Sequence, residues 1–475
     1  MNGPAVLVDN DKHIAPEKLQ GVEKIASQLK NLPLPELQKE KGLFVFPPKG
    51  EDKGGGKILE DEDECFLKEC NGHFETGNAV GFIGLGNEKL IVRSRFEEGH
   101  DFFFQYMLSK VLGFSEFDFS SSSRQEEILP LLSLLFPFFL KRAVSKGIYK
   151  EHMESSYNDF NPRGSFDFPR HIKENTPFAG KAAYKMQEMS LDNKVTELVR
   201  ETIEHLASGP MKLVLKTCRK EVRAIREATP SWNRWKGESL ISCNKIRPVL
   251  HGYFQDYRPL QKLCLAILEN RGMSWGRGSD EINGIIFDCA WLWEEYVNTL
   301  IEKDFQHPRN GIREGEEYLF YHKRTGYYVG PIYPDFISKG LPRIIADAKY
   351  KPLDLGKEER IGDDLRRMGL YLWRFQSNEG CFIYPKTSKE EEDEFALFWS
   401  QGGVRTVGIK IPQDCEDWKG FREEMEKNEE PIKKGEFLGR GRQTLVGLMF
   451  FLFHSFSSFI SCIMAVPLQQ NSAKD

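Results

Sequence analysis

Residues 333–351 read Tyr-Pro-Asp-Phe-Ile-Ser-Lys-Gly-Leu-Pro-Arg-Ile-Ile-Ala-Asp-Ala-Lys-Tyr-Lys, and this stretch constrains the fold more than any other. Gly340-Leu341-Pro342 is turn chemistry, flanked by residues that suit strands. If the turn centres on Leu341, Asp335 and Asp347 are equidistant from it and lie opposite each other. Directly paired side chains on neighbouring strands stand about 5 Å apart. Lys349 lies two residues beyond Asp347 and shares its strand face. The reading therefore predicts a hairpin with strands over 327–337 and 343–351 that gathers two carboxylates and a lysine at one point. Two carboxylates so close repel unless a cation lies between them. Hard oxygen ligands suit Mg²⁺ or Mn²⁺. Such a cation polarises a phosphodiester and acidifies water, and Lys349 would orient that water or offset developing negative charge.

An acid upstream completes the expectation. Over 285–301, Ile285, Cys289, Leu292, Trp293, Tyr296 and Leu300 recur with helical spacing, which predicts one amphipathic helix. Glu294 and Glu295 flank that stripe, and geometry alone does not choose between them as a further ligand or base. Residues 318–321 read as a strand and 322–326 as a turn.

The 475 residues are enough for two to four domains, and at a net charge of −5 a chain that acts on nucleic acid is expected to rely on a partner or on a local basic groove. The nine cysteines form no Cys-x-x-Cys pair, as expected of a reduced intracellular protein. Cys65, Cys70 and His73 are a loose cluster that reads as ordinary thiols, since a tetrahedral site needs four ligands. Residues 1–20 are polar with charges of both signs and do not read as a signal peptide, so a cytoplasmic location is expected.

Along the chain, residues 1–64 hold Pro-rich and Gly-rich pieces and an acidic run, and read as weakly ordered, with room for a short helix within Leu19–Leu37. Residues 65–155 read as a β-rich and helical domain, with short strands turning at Gly86-Asn87, a helix over 101–112 and a buried helix over 129–140. That apolar run is too short to span a bilayer, which takes about 20 residues. Pro137 is expected to kink or end the helix. Residues 156–279 read as mainly helical, with Arg163-Gly164-Ser165-Phe166-Asp167 in a strand–turn–strand and a helix over 192–206. Lys212, Lys216, Arg219, Lys220, Arg223 and Arg226 then form a basic stretch suited either to phosphates or to a solvated face. Residues 431–475 form an atypical tail; 444–466 lacks Asp, Glu, Lys and Arg, a composition that fits a membrane span or an altered reading frame. Its several serines make a membrane the less favoured partner.

Pro334-Asp335 with Asp347-Ala348-Lys349 resembles the PD-(D/E)xK nuclease signature. More of the chain, roughly 70–430, resembles McrC, the nuclease subunit of McrBC-type modification-dependent restriction systems. The pieces are Thr76-Gly77-Asn78-Ala79-Val80-Gly81-Phe82-Ile83 with Ser94-Arg95-Phe96, the Arg163–Asp167 motif, Leu292-Trp293-Glu294-Glu295-Tyr296-Val297, Ile383-Tyr384-Pro385 and Ile409-Lys410-Ile411-Pro412. The resemblance implies an α/β protein: an N-terminal β-rich and helical partner-docking region, then a nuclease domain over 280–430 with a central mixed sheet flanked by helices. It implies Asp335, Asp347 and Lys349 as catalytic, Glu294 as the helix acid, and Asp335, Asp347 and Glu294 as ligands of Mg²⁺ or Mn²⁺. It also implies a McrB-like AAA+ GTPase hexamer as partner and double-stranded methylated DNA as substrate. Where family members often carry Gln-Met-x-x-Tyr, this chain has Arg367-Met368-Gly369-Leu370-Tyr371. Arg367 and Tyr371 are therefore DNA-contact candidates. The departure leaves open a decayed subunit that only docks and stimulates the GTPase.

Overall fold

The structure, a computed structural model, describes residues 4–41, 43–47, 65–97, 100–113, 128–233, 237–269, 282–308, 317–351, 358–387, 394–398 and 402–436. The protein is mixed α/β and divides into two compact units, 1–293 and 294–475.

The first unit is built on a five-stranded sheet in the order Ala5–Val8, Glu88–Arg93, Ala79–Leu85, Asn283–Asp288, Phe44–Phe46. Ala79–Leu85 is buried at every position, which is why it reads as a continuous apolar run without alternation. It turns at Gly86, whose φ of +59° suits glycine, and pairs antiparallel with Glu88–Arg93. On its other side Asn283–Asp288 approaches so closely that a Cβ at Gly284 would lie 2.4 Å from the Phe82 carbonyl oxygen.

Two expectations fail here. Residues 5–46 are not weakly ordered: they supply both edge strands and the helices Glu23–Leu29 and Leu34–Glu40. Leu7, Ile25, Leu29, Leu37 and Val45 are buried in one core with Ile83, Val92 and Ile286. Each element is too short to stand alone, so its order comes from tertiary burial that local composition does not show. Nor is 285–301 a single helix. Ile285, Ile286 and Phe287 belong to the sheet, and the helix is Cys289–Ile301. Asp288 starts it, its Oδ1 accepting from the backbone N–H groups of Ala290 (3.0 Å) and Trp291 (3.1 Å).

The remainder of this unit is a three-stranded sheet, Glu151–Asp159, Ala182–Ser190 and Ser165–Phe166, and a helical layer. The strand–turn–strand expected within 157–190 is present: Glu151–Asp159 leads through a turn to Ser165–Phe166, both strands pair with Ala182–Ser190, and the helix Phe168–Glu174 intervenes. Ile128–Val144, Lys194–Ser208 and Tyr257–Glu269 pack together. Ile128–Val144 continues through Pro137 instead of ending there. Lys194–Ser208 begins at a capping box between Asn193 and Thr196. Cys70 and His73 face each other across a two-residue turn, and no metal-holding group of His, Cys, Asp or Glu occurs among the described residues.

The second unit carries a six-stranded mixed sheet in the order Phe305–Gln306, Phe336–Ser338, Ile344–Ala348, Glu379–Lys386, Gly403–Lys410, Glu394–Ala396. The three central strands, Ile344–Ala348, Glu379–Lys386 and Gly403–Lys410, run parallel. Parallel neighbours need a crossover, and the helix Glu358–Phe375 provides the first. It lays Met368, Tyr371, Leu372 and Phe375 onto Ile345, Phe382, Tyr384 and Val404. Helix and sheet come close at Gly380, where a Cβ would lie 2.9 Å from the Met368 sulfur. Trp418–Lys433 also packs against Gly403–Lys410. The polar link from Tyr296 Oη to buried Glu429 (2.7 Å) fixes the unit's first helix to its last. Glu317–Tyr321 and Tyr328–Ile332 form a separate hairpin, so the long strand expected over 327–337 is two strands broken at Tyr333-Pro334. No described helix is long and apolar enough to cross a membrane, and 444–466 lies outside the described residues.

Candidate active site

The hairpin register is the one the turn demands. Phe336 pairs with Ala346 and Ile337 with Ile345, so Asp335 and Asp347 flank the next rung. Asp347 is 4% exposed at the end of Ile344–Ala348, and Asp335 is half-buried. The two carboxyl groups share a side-chain hydrogen bond. Asp335 Oδ2 also accepts from the Ala348 N–H at 2.8 Å, which locks it against the strand bearing its partner. Burial first, and then the Asp347 charge, push the Asp335 carboxyl well above the usual carboxylate range; Lys349 and the Ala348 N–H only partly oppose them.

Lys349 closes the group. Its Nζ lies 2.5 Å from Asp347 Oδ2 and 3.7 Å from Asp364 Oδ1. Its own N–H donates to the Ile383 carbonyl at 2.9 Å, so the parallel strand holds its backbone in place. Burial alone would drive the ammonium toward neutrality, but Asp347, Asp335 and Asp364 outweigh it and hold its pKa up. Lys349 is thus held as a cation and a hydrogen-bond donor.

The helix acids sit differently from expectation. Glu294 and Glu295 stand at almost the same distance from His307 Nε2, 3.7 Å and 3.6 Å, while His307 Nδ1 is 2.9 Å from the Asp335 carbonyl oxygen. An imidazole therefore links both glutamates to the segment carrying Asp335. Burial would lower the His307 pKa, but Glu295 and the Asp335 carbonyl hold it raised. Among the described residues no group of three His, Cys, Asp or Glu side chains is set to hold a metal, and Glu294 lies against His307. The ion pairing with His307 accounts for its placement.

Tyr371 is 5% exposed in the helix–sheet core and donates to the Tyr333 carbonyl at 3.2 Å. Its hydroxyl ties the helix to the break before Asp335. Burial, then Asp347 and Asp335, raise its pKa further. Arg367, one helical turn earlier, is half-buried and lies close enough to act on Tyr371 electrostatically.

Three participants were not singled out from the sequence: His307, Asp364 and Lys351. Asp364 is 8% exposed on Glu358–Phe375 and takes Lys351 at 2.6 Å as well as Lys349. The signal was a second lysine two residues after Lys349, just beyond the strand Ile344–Ala348, which asks for a second carboxylate nearby.

The pattern of the family described as McrBC 5-methylcytosine restriction system component matches residues 74–385. A comparison with curated proteins gives no match. Among solved structures, a refined half-complex from a tetradecameric assembly of Thermococcus gammatolerans McrB AAA+ hexamers with bound McrC includes a chain 16% identical. The alignment covers 90% of this chain and 100% of that one, with a TM-score of 0.42. A cryo-EM structure of the Thermococcus gammatolerans McrBC complex aligns at 14% identity, over 63% of this chain and 88% of that one, with a TM-score of 0.28.

Proposed function

The chain belongs to the McrBC 5-methylcytosine restriction system component family, and from that premise we propose that it is the subunit that cuts DNA, a metal-dependent endonuclease acting on methylated duplex. The observation that carries the reading is the convergence of Asp335, Asp347 and Lys349 at the end of one parallel strand. A buried carboxylate pair sharing a hydrogen bond fits a divalent cation, because the second negative charge is otherwise stable only with a proton or a counter-ion. Asp335 and Asp347 would hold Mg²⁺ or Mn²⁺ through hard oxygen donors. When bound, the cation supplies Lewis acidity to the scissile phosphate and to the attacking water.

The chain's own side chains do the rest. Lys349 stays protonated and donates toward the phosphate oxygens, where negative charge grows in the transition state. Asp364 and Asp347 keep that ammonium from swinging away. His307 and Tyr371 fix the Asp335 segment through the carbonyls on either side of Pro334, those of Asp335 and Tyr333. Arg367 offers a charge to the DNA backbone.

We further propose that the chain works on a McrB-like AAA+ GTPase hexamer, whose GTPase it stimulates. The family assignment and the net charge of −5, which leaves much of the DNA grip to a partner, support this. Purified with that partner, GTP and Mg²⁺, the protein should cut methylated DNA; Asp347→Ala should abolish cleavage and leave assembly intact. Cleavage that survives the change overturns the site assignment. A second reading, a docking subunit that stimulates the GTPase without cutting, is favoured by the tie of Glu294 to His307 and by Arg367 at the position of the family's glutamine. It predicts no Mn²⁺ binding in the intact chain, whereas the nuclease reading predicts binding that Asp335→Ala removes.

A further inference from the structure

In the first unit, the end of Lys194–Ser208, the 3₁₀ segment Pro210–Cys218 and the helix Arg219–Ala228 enclose a cleft of about 470 Å³. Lys212, Lys216, Arg219, Arg223 and Arg226 line it, over a floor that includes Leu215 and Val222. No acidic residue lines it among the described residues. We infer that this cleft binds the phosphate backbone of duplex DNA, as a site on the first unit separate from the candidate nuclease site on the second.

Three observations carry the inference. The chain as a whole is acidic, so five cations around one cleft are a local accumulation and not a consequence of composition. The charge is also only partly neutralised. Arg226 pairs with Glu204 at 3.0 Å and Arg223 with Glu227 at 2.8 Å, the latter pair fully solvated at 82% and 65% side-chain exposure. Lys212, Lys216 and Arg219 are exposed and make no ion pair among the described residues. Finally, Val214, Cys218, Val222 and Ile225 are buried, so the segment's apolar side is anchored and its cations are held outward on a fixed scaffold.

The lining also selects the ligand class. It contains no aromatic ring and no amide or hydroxyl side chain, so it has nothing with which to stack on or read a base. What it offers is positive charge, with Arg forks suited to phosphate oxygens. That is the chemistry of sequence-independent backbone contact. The inference rests on the DNA-cutting reading only for the choice of polymer, and it uses none of the nuclease residues.

The test is fluorescence polarisation of a labelled, unmethylated duplex with the full chain in EDTA, titrated over a range of salt. Lys216→Glu/Arg219→Glu should weaken binding at least tenfold. It should also make the slope of log K against log [salt] shallower by about 2, since each phosphate contact contributes about 0.9. Lys216→Arg/Arg219→Lys should bind as the parent does. If the reversed variant misfolds by circular dichroism, Lys216→Gln/Arg219→Gln, which introduces no repulsion, should show the same change of slope. An unchanged affinity and slope in a folded variant overturns the proposal. So does unchanged DNA binding together with lost assembly on the GTPase ring, which would mark the cleft as a seat for an acidic protein surface. Asp347→Ala should leave this binding intact; a chain that binds DNA here but never cuts would refute the nuclease reading alone.

Discussion

Lys349→Met should destabilise the second unit strongly at neutral pH, because it removes the cation from a nest of three carboxylates. Lys349, Asp347 and Asp364 have side-chain exposures of 15%, 5% and 10%, so solvent screens them little. At an effective dielectric of about 20, a contact of 2.5 Å corresponds to roughly 7 kcal/mol of attraction and one of 3.7 Å to roughly 4 kcal/mol. Desolvation offsets more than half of that, and breaking a buried pair typically leaves a net loss of about 3–5 kcal/mol. For a unit of this size the loss corresponds to a fall in Tm of roughly 6–20 °C by calorimetry. The pH dependence carries its own sign. The Asp335 carboxyl is already raised above its ordinary value of 3.8, so the folded state keeps its proton to higher pH than the unfolded chain does. Stability from this group is present below the unfolded value and is lost as pH rises through the folded one. Without Lys349 the folded value climbs further, so the variant should recover toward the parent at acid pH and diverge from it above neutrality. Mg²⁺ should restore part of the loss, about 2.7 kcal/mol at a hundred times its Kd. A variant that melts within about 2 °C of the parent at pH 7.5, with no response to pH or Mg²⁺, would refute Lys349 as the counter-ion of the pair.

Four smaller predictions concern single groups. Mn²⁺ should raise the melting temperature of the parent protein in differential scanning fluorimetry, and Asp335→Ala should abolish the shift. Tyr371→Phe removes a hydrogen bond to the Tyr333 carbonyl and should cost about 1 kcal/mol in urea unfolding, with a several-fold slower cleavage rate at unchanged assembly. Tyr296→Phe removes the hydroxyl donor of the buried Glu429 carboxylate, which also pairs with Lys433 at 2.7 Å, and should cost about 1.5–3 kcal/mol by the same measurement. Glu97, whose carboxylate accepts from the Phe102 and Phe103 N–H groups at 2.8 Å and 2.7 Å, is pushed up to about 7 by burial. Its carboxyl carbon should titrate near neutrality by NMR, and its contribution to stability should shrink as pH rises from about 4.5 through 7.

The central hairpin was legible because a short turn leaves little freedom: once Leu341 is the midpoint, the pairing of Phe336 with Ala346 follows, and Asp335 must approach Asp347. The sheet of the first unit was less legible. Its Phe44–Phe46 and Asn283–Asp288 strands are far apart in the chain, and an edge strand of three residues carries no periodicity to read. The apolar run Ile285-Ile286-Phe287 fits a helix stripe as well as a strand. What decides is Asp288, whose side chain caps the helix after it and so ends the strand before it. Asp-Cys-Ala-Trp carries that start signal, and a weight placed on hydrophobic spacing alone overlooks it.

The same limit applies to the site, where the motif names the candidate groups and their surroundings set the charge each one bears. Asp-x-Lys by itself does not say whether the lysine is a base or a cation. The answer comes from Asp364, on the crossover helix, together with Asp347 and Asp335: these carboxylates overcome burial and keep Lys349 protonated. The upstream acids follow the same logic. A helix wheel puts Glu294 and Glu295 on opposite flanks of one stripe, yet His307 receives both at nearly equal distance, because it stands at the edge of the sheet with its other nitrogen on the Asp335 carbonyl. If that imidazole is what orients the Asp335 segment, His307→Asn, which keeps a donor for the carbonyl, should retain more cleavage activity than His307→Leu, which does not. Equal loss in the two would mean that the charge facing the glutamates, and not the hydrogen bond to Asp335, is what the site needs from this residue.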